Sequence, residues 1–256
     1  MQRKVPKCYV ICTTPRSGST MLCKLLEATK IAGRPGSLFH EPSIDAWLEY
    51  YGFDSGNFLS REATLNAILD AAMKRGKAGS DIFGLRLQQR SFPFLAEQLA
   101  FLFPRQETDL ERLEAAFGPA LFIYLHREDR LGQAISRLRA EQTGLWHKRA
   151  DGTDLERQAA RREDRYDPDA IHAHLNEIAE QNEAWQRWFA EQSIKTLTIT
   201  YEALSQYPQS TLAAILEALG LDASVAMRTP VQTSKLADRT NEDWRARFMF
   251  EAKPSR

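Results

Sequence analysis

Long apolar runs are absent from this sequence of 256 residues. No stretch approaches the roughly 18 consecutive apolar residues that a bilayer-spanning helix needs. The apolar segment near the N-terminus is short and soon reaches Pro15 and Arg16, which is unlike a secretory signal. The sequence therefore predicts a protein with neither a membrane span nor a signal peptide.

An excess of charge of either sign is also absent, since 34 basic residues balance 34 acidic ones. This balance argues against a nucleic-acid partner, while it leaves room for a local basic pocket. Cysteine is scarce, and Cys8, Cys12 and Cys23 have no histidine near them in the sequence. We expect reduced core thiols of a cytoplasmic protein, without a disulfide framework or a metal site.

Short segments rich in β-forming residues alternate with segments of helical spacing. Strands are predicted at residues 8–13, 81–87, 120–125 and 195–200. Helices are predicted at 19–29, from a Ser60 cap to about 76, at 92–103, from a Thr108–Glu111 capping box to about 118, and at about 130–142, 167–189 and 210–219. The alternation predicts one α/β domain over residues 1–256, with a central, mostly parallel sheet covered by helices.

Two further features are read from composition. Residues 148–169 are dense in charge and poor in large apolar side chains, which favours an exposed, mobile loop. Trp185 and Trp188 are expected to pack in the core or in a dimer interface. Trp146 is expected either to pack in the same way or to stack on a ligand.

The segment TTPRSGST connects the first predicted strand to the first helix. A strand-to-helix turn directs backbone N–H groups and the positive end of the helix dipole at one point. Gly18 allows close backbone approach, and Ser17, Ser19 and Thr20 add hydroxyl donors. Arg16 adds a planar cation that can grip an anion in two places. The segment therefore predicts a phosphate-binding loop, against the alternative of a plain junction that binds nothing.

The loop departs from the P-loop of ATP and GTP hydrolases, G-x-x-x-x-G-K-[ST]. Thr13 stands in place of the first glycine and Ser19 in place of the lysine. The strand at 120–125 is followed by His126 and Arg127 and not by the aspartate that would hold Mg²⁺. These departures argue against nucleoside triphosphate hydrolysis.

TTPRSGST resembles the 5′-phosphosulfate-binding loop of sulfotransferases that use 3′-phosphoadenosine 5′-phosphosulfate (PAPS), in the form known from carbohydrate sulfotransferases. The resemblance implies that residues 16–20 hold the phosphosulfate. FIYLHRED and QAIS resemble the second motif of these enzymes, which implies that Arg127 and Ser136 bind the 3′-phosphate. The spacing between them is one residue longer than in many relatives. Taken alone, an arginine that follows a strand is more often a surface salt-bridge residue, and the order and distance of Arg127 relative to the first loop favour a ligand site.

Four further blocks resemble the bacterial trehalose 2-sulfotransferase family, and the likeness extends over nearly the whole chain: HREDRLGQAIS, RAEQTGLW, NEAWQRWF and ADRTNEDW. The resemblance implies a P-loop-like three-layer α/β fold. It also implies sulfation of a hydroxyl on a sugar such as trehalose or on a glycolipid, with 3′-phosphoadenosine 5′-phosphate (PAP) as product. Because phosphate is already a good leaving group, we expect the reaction to need no metal. A homodimer is left open.

Sulfotransferases cover the cofactor with a C-terminal segment, which this resemblance places at about 232–248. Lys235 and Arg239 are its basic candidates. Tyr201 either faces the adenine or is a strand-end aromatic of the core.

Sulfuryl transfer needs a base beside the acceptor hydroxyl and cations on the developing charge. Arg16 is suited to the second role. In the trehalose enzymes the base is a glutamate whose position here is taken by Ser37. FHEP, however, resembles the Glu-Pro segment of other carbohydrate sulfotransferases, whose glutamate is catalytic. We therefore predict Glu41 as the base, with His40 as runner-up, against the alternative that Glu41 only enters a helix.

Two other functions stay open on the sequence alone. One is a nucleotide-binding protein without catalysis, and the other is a kinase with a degenerate P-loop. Only the kinase predicts dependence on Mg²⁺ and protection by ATP.

Overall fold

The computed structural model describes residues 7–148, 153–157, 163–231 and 239–251. The strands within these residues are β1 (Cys8–Thr13), β2 (Phe83–Gln88), β3 (Ala120–His126), β4 (Leu145–Lys148), β5 (Asp154–Arg157) and β6 (Leu197–Thr200). The α-helices are α1 (Ser19–Ala28), α2 (Ile44–Tyr51), α3 (Arg61–Lys77), α4 (Phe92–Leu102), α5 (Asp109–Phe117), α6 (Arg130–Thr143), α7 (Pro168–Glu191), α8 (Tyr201–Gln206), α9 (Pro208–Ala218) and α10 (Arg239–Glu251).

Four strands form a parallel sheet in the order β2-β1-β3-β6. The last residue of β1, Thr13, pairs with Gln88 of β2 and with Leu125 of β3. His126 of β3 pairs with Thr200 of β6. The strand ends therefore share one edge, and the segments that follow them meet there.

The sheet is buried on both faces, because alternate side chains of β1 point to opposite sides. Cys8, Val10 and Cys12 belong to a core formed with α2, α3, α4, α5 and α7. Tyr9 and Ile11 belong to a second core formed with α1, α8 and α9. Helices thus cover both faces of the sheet, which confirms the predicted P-loop-like three-layer α/β fold.

The three cysteines are buried and free, as expected of core thiols. Burial raises the pKa of Cys12 well above its ordinary value, and it also raises the pKa of Cys8 and Cys23. These thiols therefore stay protonated and behave as small apolar groups.

The predicted helix starts are confirmed by their caps. Ser60 accepts a hydrogen bond from the Ala63 N–H at 3.1 Å, and Thr108 and Glu111 form a complete capping box. The sequence did not predict α2, α8, α10 or the antiparallel pair β4–β5. These elements are short or weakly patterned, so periodicity gives little signal for them. β5 lies inside residues 148–169, and the predicted mobility of that segment stays a prediction.

A third apolar cluster joins α6, α7 and α10, where Trp244 and Phe248 pack with Ile135 and Ile178. This packing fixes α10 against the helix that follows β3. Among the described residues, no helix is both long enough and apolar enough to cross a membrane.

Candidate functional site

The loop after β1 is anchored by hydrogen bonds at its first residue. The Trp185 indole N–H donates to the Thr13 carbonyl at 2.9 Å, and the Thr13 hydroxyl donates to the Leu125 carbonyl at 2.8 Å. Thr13 Oγ1 and Ser17 Oγ lie 2.5 Å apart, and both residues are fully buried. Because the Thr13 proton is directed at Leu125, Ser17 donates to Thr13. The Ser17 hydroxyl is therefore used inside the loop, unlike the expectation that it faces a ligand.

The backbone of the loop turns sharply before α1. Arg16 and Gly18 both have positive φ, at 64° and 85°. Gly18 is the N-cap of α1 and has no side chain with which to cap it. The first N–H groups of α1 therefore remain available to an anion, beside the hydroxyls of Ser19 and Thr20.

Helix α6 holds the loop through hydrogen bonds from one of its side chains. Gln133 is fully buried, and its amide donates to Thr14 Oγ1 at 2.9 Å and to the Pro15 carbonyl at 2.6 Å. These two hydrogen bonds from the buried Gln133 side chain hold the loop in one conformation.

Arg16 is also directed toward α6. Its Nε donates to Ser136 Oγ at 3.0 Å, and its Nη1 donates to the Trp146 carbonyl. Ser136 thus lies beside Arg16, although the sequence paired it with Arg127. The two cations that the sequence assigned to separate anion sites are therefore connected through one helix.

Arg127 and Tyr201 form the side of the site near β3 and β6. The Arg127 guanidinium lies 4.7 Å from the centre of the Tyr201 ring and 3.1 Å from Asp129 Oδ2. A methyl group at Gly18 would lie 2.5 Å from Cδ2 of Tyr201, so the ring packs directly on the loop. Tyr201 is half-buried and stands between the phosphate loop and Arg127, outside the main cores.

Asp129 ties this side to α10. Burial raises the pKa of Asp129, but hydrogen bonds from the Gly132 N–H and from Arg245, with the charge of Arg127, lower it overall. The Arg245–Asp129 distance is 2.6 Å. The ionised carboxylate therefore links α10 to the start of α6, next to Arg127.

Arg86 forms the opposite side of the site, and sequence reasoning missed it. Its Nη1 donates to Thr20 Oγ1 at 2.9 Å, and its Nη2 and Nε donate to Ser37 Oγ at 2.7 and 3.0 Å. Arg86 lies near the carboxyl end of β2. Its position near the end of a predicted parallel strand could have identified it, since the same signal identified Arg127.

The two candidate bases lie together. Glu41 Oε1 is 3.3 Å from His40 Nε2, and Arg90 Nη2 is 3.3 Å from Glu41 and 3.1 Å from His40. Both side chains are exposed. The side-chain cap of α2 is Ser43, so Glu41 is not needed to begin that helix.

The phosphate loop and the candidate bases share a cleft of about 950 Å³. Its polar and aromatic lining includes Arg16, Ser19, Thr20, Ser37, His40, Glu41, Glu49, Tyr50, Arg86, Arg90, Arg137, Glu141 and Trp146. The structure thus brings the predicted loop and the predicted bases around one space.

Helix α6 contributes Arg137 and Glu141 to the lining of this cleft, and α7 contacts both side chains. Glu141 lies 2.9 Å from Arg137 Nε and 3.2 Å from His174 Nε2. Burial raises the pKa of Glu141, but hydrogen bonds from His174 and Arg137 outweigh burial and lower it. Glu141 is therefore a carboxylate, held against a guanidinium that also contacts Glu177 at 2.9 Å.

The other predicted residues are three tryptophans and two basic residues of the C-terminal segment. Trp185 and Trp188 are core residues, with 0% and 7% of their surface exposed, and Trp146 lines the cleft. Arg239 is the exposed first residue of α10, and its role stays a prediction. Lys235 lies outside the described residues.

Comparison with known proteins gives consistent matches. The sequence profile of the family described as Stf0 sulphotransferase matches residues 8–251. A protein of Mycobacterium tuberculosis named trehalose 2-sulfotransferase is 27% identical over 263 residues, which cover 95% of both chains. A protein of the same name from Mycolicibacterium smegmatis is 26% identical over 265 residues and 96% of both chains.

Among solved structures, the sulfotransferase domain of the Synechococcus PCC 7002 olefin synthase is similar with a TM-score of 0.50. The match is 15% identical and covers 100% of this chain and 92% of that domain. At this identity the match supports the fold alone.

Proposed function

Because this chain belongs to the Stf0 sulphotransferase family and is an enzyme that transfers sulfuryl groups, we propose that its donor is PAPS and its acceptor a carbohydrate hydroxyl, as in trehalose or a glycolipid. One observation carries this proposal. The uncapped start of α1 has Arg127 and Tyr201 on one side and Arg86 on the other, and opens into the cleft that holds Glu41. PAPS carries phosphate on both the 5′ and the 3′ oxygen of its ribose, and the start of α1 and Arg127 offer a separate position for each.

The residues present fit the donor in type and arrangement. We assign the first N–H groups of α1, the backbone of Ser17 and Gly18, the hydroxyls of Ser19 and Thr20, and Arg16 to the 5′-phosphosulfate. We assign Arg127 to the 3′-phosphate, because its guanidinium lies against the Tyr201 ring, which packs on the loop, and its Nε has no hydrogen-bond partner among the described residues. Ser136 keeps its assignment to the 3′-phosphate, as a hydroxyl that also holds Arg16. Tyr201 is assigned to the adenine side.

The bound donor supplies the sulfuryl group, and its phosphate is a good leaving group. Glu41 accepts the proton of the acceptor hydroxyl as the acceptor oxygen forms its bond to sulfur and the bridging bond to phosphate breaks. Arg90 holds the Glu41 carboxylate in place from 3.3 Å. Arg16 and Arg86 provide fixed positive charge beside the loop, where negative charge develops.

Ligand-induced thermal stabilisation tests the donor assignment. PAP at a hundredfold excess over its dissociation constant should stabilise the protein by about 2.7 kcal/mol. AMP at the same concentration should stabilise it by much less, because it lacks the 3′-phosphate. Equal shifts with PAP and AMP would remove the assignment of Arg127 and Ser136. A shift only with ADP and Mg²⁺ would support the kinase alternative.

A transfer assay tests catalysis itself. Radiolabelled PAPS is mixed with the protein and with trehalose or a glycolipid extract, and labelled sugar is separated and counted. Labelled product supports the proposal. Stabilisation by PAP with no transfer to any carbohydrate acceptor would support the non-catalytic alternative.

A further inference from the structure

A second pocket of about 490 Å³ adjoins the cleft on the side of β2. The two spaces share four lining residues, Thr20, Leu38, Tyr50 and Arg86. The second pocket is otherwise formed by α1, the segment after it and the end of α3. It is therefore a side chamber that opens from the cleft just beyond Arg86.

The lining of this basic pocket carries four cations, Lys24, Arg34, Arg75 and Arg86, and one carboxylate, Glu27. Lys24 and Glu27 pair with each other at 2.8 Å. The other three cations are thus an excess of positive charge in a chain whose total charge is zero.

Two of these three guanidinium groups contact neutral partners. Arg75 lies 4.5 Å from the centre of the Tyr50 ring and 4.9 Å from that of Tyr51, and it donates to the Tyr50 carbonyl at 3.3 Å. Arg86 donates to the hydroxyls of Thr20 and Ser37. Aromatic faces and hydroxyls orient a guanidinium without cancelling its charge, which leaves it able to bind an anion.

The strand order places this pocket on the side of the loop opposite to the residues that we assign to the nucleotide. Arg127 follows β3 and Tyr201 follows β6, so both lie on one side of the loop after β1, whereas Arg86 on β2 lies on the other. The nucleotide is assigned to the β3 and β6 side. The basic pocket is therefore on the side left for the acceptor, continuous with the cleft that contains Glu41.

We infer that the acceptor is an anionic saccharide, whose phosphate or carboxylate binds in the basic pocket while one of its hydroxyls lies beside Glu41. The inference rests on the proposed function, since it assumes a sugar acceptor. The inference adds a negative charge to the acceptor, which Arg34 and Arg75 are placed to bind. Arg86 lies between these two cations and the loop, and a neutral disaccharide would leave Arg34 and Arg75 unused.

Titration calorimetry with three sugars tests the inference. The PAP-saturated protein is titrated with trehalose, trehalose 6-phosphate and glucuronate, so that PAP occupies the phosphate loop and excludes the sugar phosphate from it. We expect at least one anionic sugar to bind tenfold or more tighter than trehalose. The phosphate and carboxylate arms distinguish which anion the pocket prefers.

Two variants locate the binding. Arg75→Gln and the exposed Arg34→Gln should each reduce the preference for the anionic sugar about tenfold and leave trehalose binding unchanged. Arg61→Gln is the matched control, because Arg61 is also on α3 and lies 4.4 Å from the Phe101 ring, away from the pocket. Arg34→Gln keeps the test valid if Arg75→Gln fails to fold.

Equal affinity for all three sugars would overturn the inference, and so would a preference that survives both variants. Repeating the titration without PAP separates this result from the proposed function. If PAP does not stabilise the wild-type protein, the donor assignment is wrong. The difference in sugar affinity between Arg34→Gln and wild type, measured without PAP, would still test the pocket.

Discussion

At the scale of single residues, Glu41 and His40 compete for one role. Both contact Arg90 and each other within 3.3 Å, so proximity does not separate them. A base acts on the acceptor and not on the nucleotide. Its loss should therefore appear in the rate of transfer and not in donor affinity.

Glu41→Gln should lower kcat by about 10²–10⁴-fold, the usual cost of removing a general base. Glutamine keeps the shape and can still accept a hydrogen bond from Arg90. PAP affinity should stay nearly unchanged, as measured by thermal shift alongside the transfer rate.

His40→Ala is the companion variant and should have the smaller effect. The reverse order would make His40 the base and Glu41 its orienting partner. If neither variant slows transfer tenfold, the base lies elsewhere in the cleft.

At the scale of elements, the start of α1 depends on a glycine for two reasons. Gly18 has a φ of 85°, and a methyl group there would lie 2.5 Å from the Tyr201 ring. Substitution must therefore both strain the backbone and push Tyr201 away from the loop.

Gly18→Ala should weaken PAP binding at least tenfold and lower the melting temperature. Gly52→Ala is a close control, because Gly52 has a φ of 73° and nothing within 4 Å of an added methyl group. Both variants bear the cost of the left-handed backbone, of about 1 kcal/mol. Equal PAP affinity in the two variants would show that contact between Tyr201 and the loop is irrelevant to the site.

Helix α6 connects several parts of the molecule. Its N-cap is Asp129, which contacts Arg245 of α10, and its last turn carries Glu141, which contacts His174 of α7. Gln133 between them holds the phosphate loop. Changes at either end of α6 are therefore expected to reach the site.

At the scale of the whole molecule, the carboxylates on α6 predict acid sensitivity. The pKa values of Glu141 and Asp129 are lowered from ordinary values of 4.5 and 3.8. The unfolded chain therefore binds more protons than the folded one in this range. Their contribution to stability is fully present above the ordinary values, and it is lost as pH falls through the lowered ones.

Glu141→Gln should reduce the free energy of unfolding at pH 7 by up to about 1 kcal/mol, since solvent screens this partly exposed group. The difference from wild type should vanish at pH values well below 4.5. Urea unfolding over a pH series measures it, with Glu183→Gln on the exposed side of α7 as control. A difference that persists at low pH would mean that packing, and not charge, is responsible.

Much of the architecture could be predicted from sequence. Alternation of short β-rich segments with amphipathic ones fixes the order of elements, because strand and helix periods differ along the chain. The strand-to-helix loop around Gly18 and the caps at Ser60 and Thr108 were predicted correctly because their signals are local. The base assignment to Glu41 or His40 stays a prediction. The cytoplasmic location and the homodimer stay predictions.

The tertiary structure decided which distant residues meet. Arg86 contacts Thr20, and Ser136 contacts Arg16, because the strand order β2-β1-β3-β6 places the end of β1 between those of β2 and β3. Strand order depends on how the two faces of the sheet are covered, and local periodicity does not encode it. The sequence by itself therefore determined the four strands of the main sheet, most of the helices that cover it and the strand-to-helix loop around Gly18. Which cations surround that loop was decided by the packing of strands far apart in the chain.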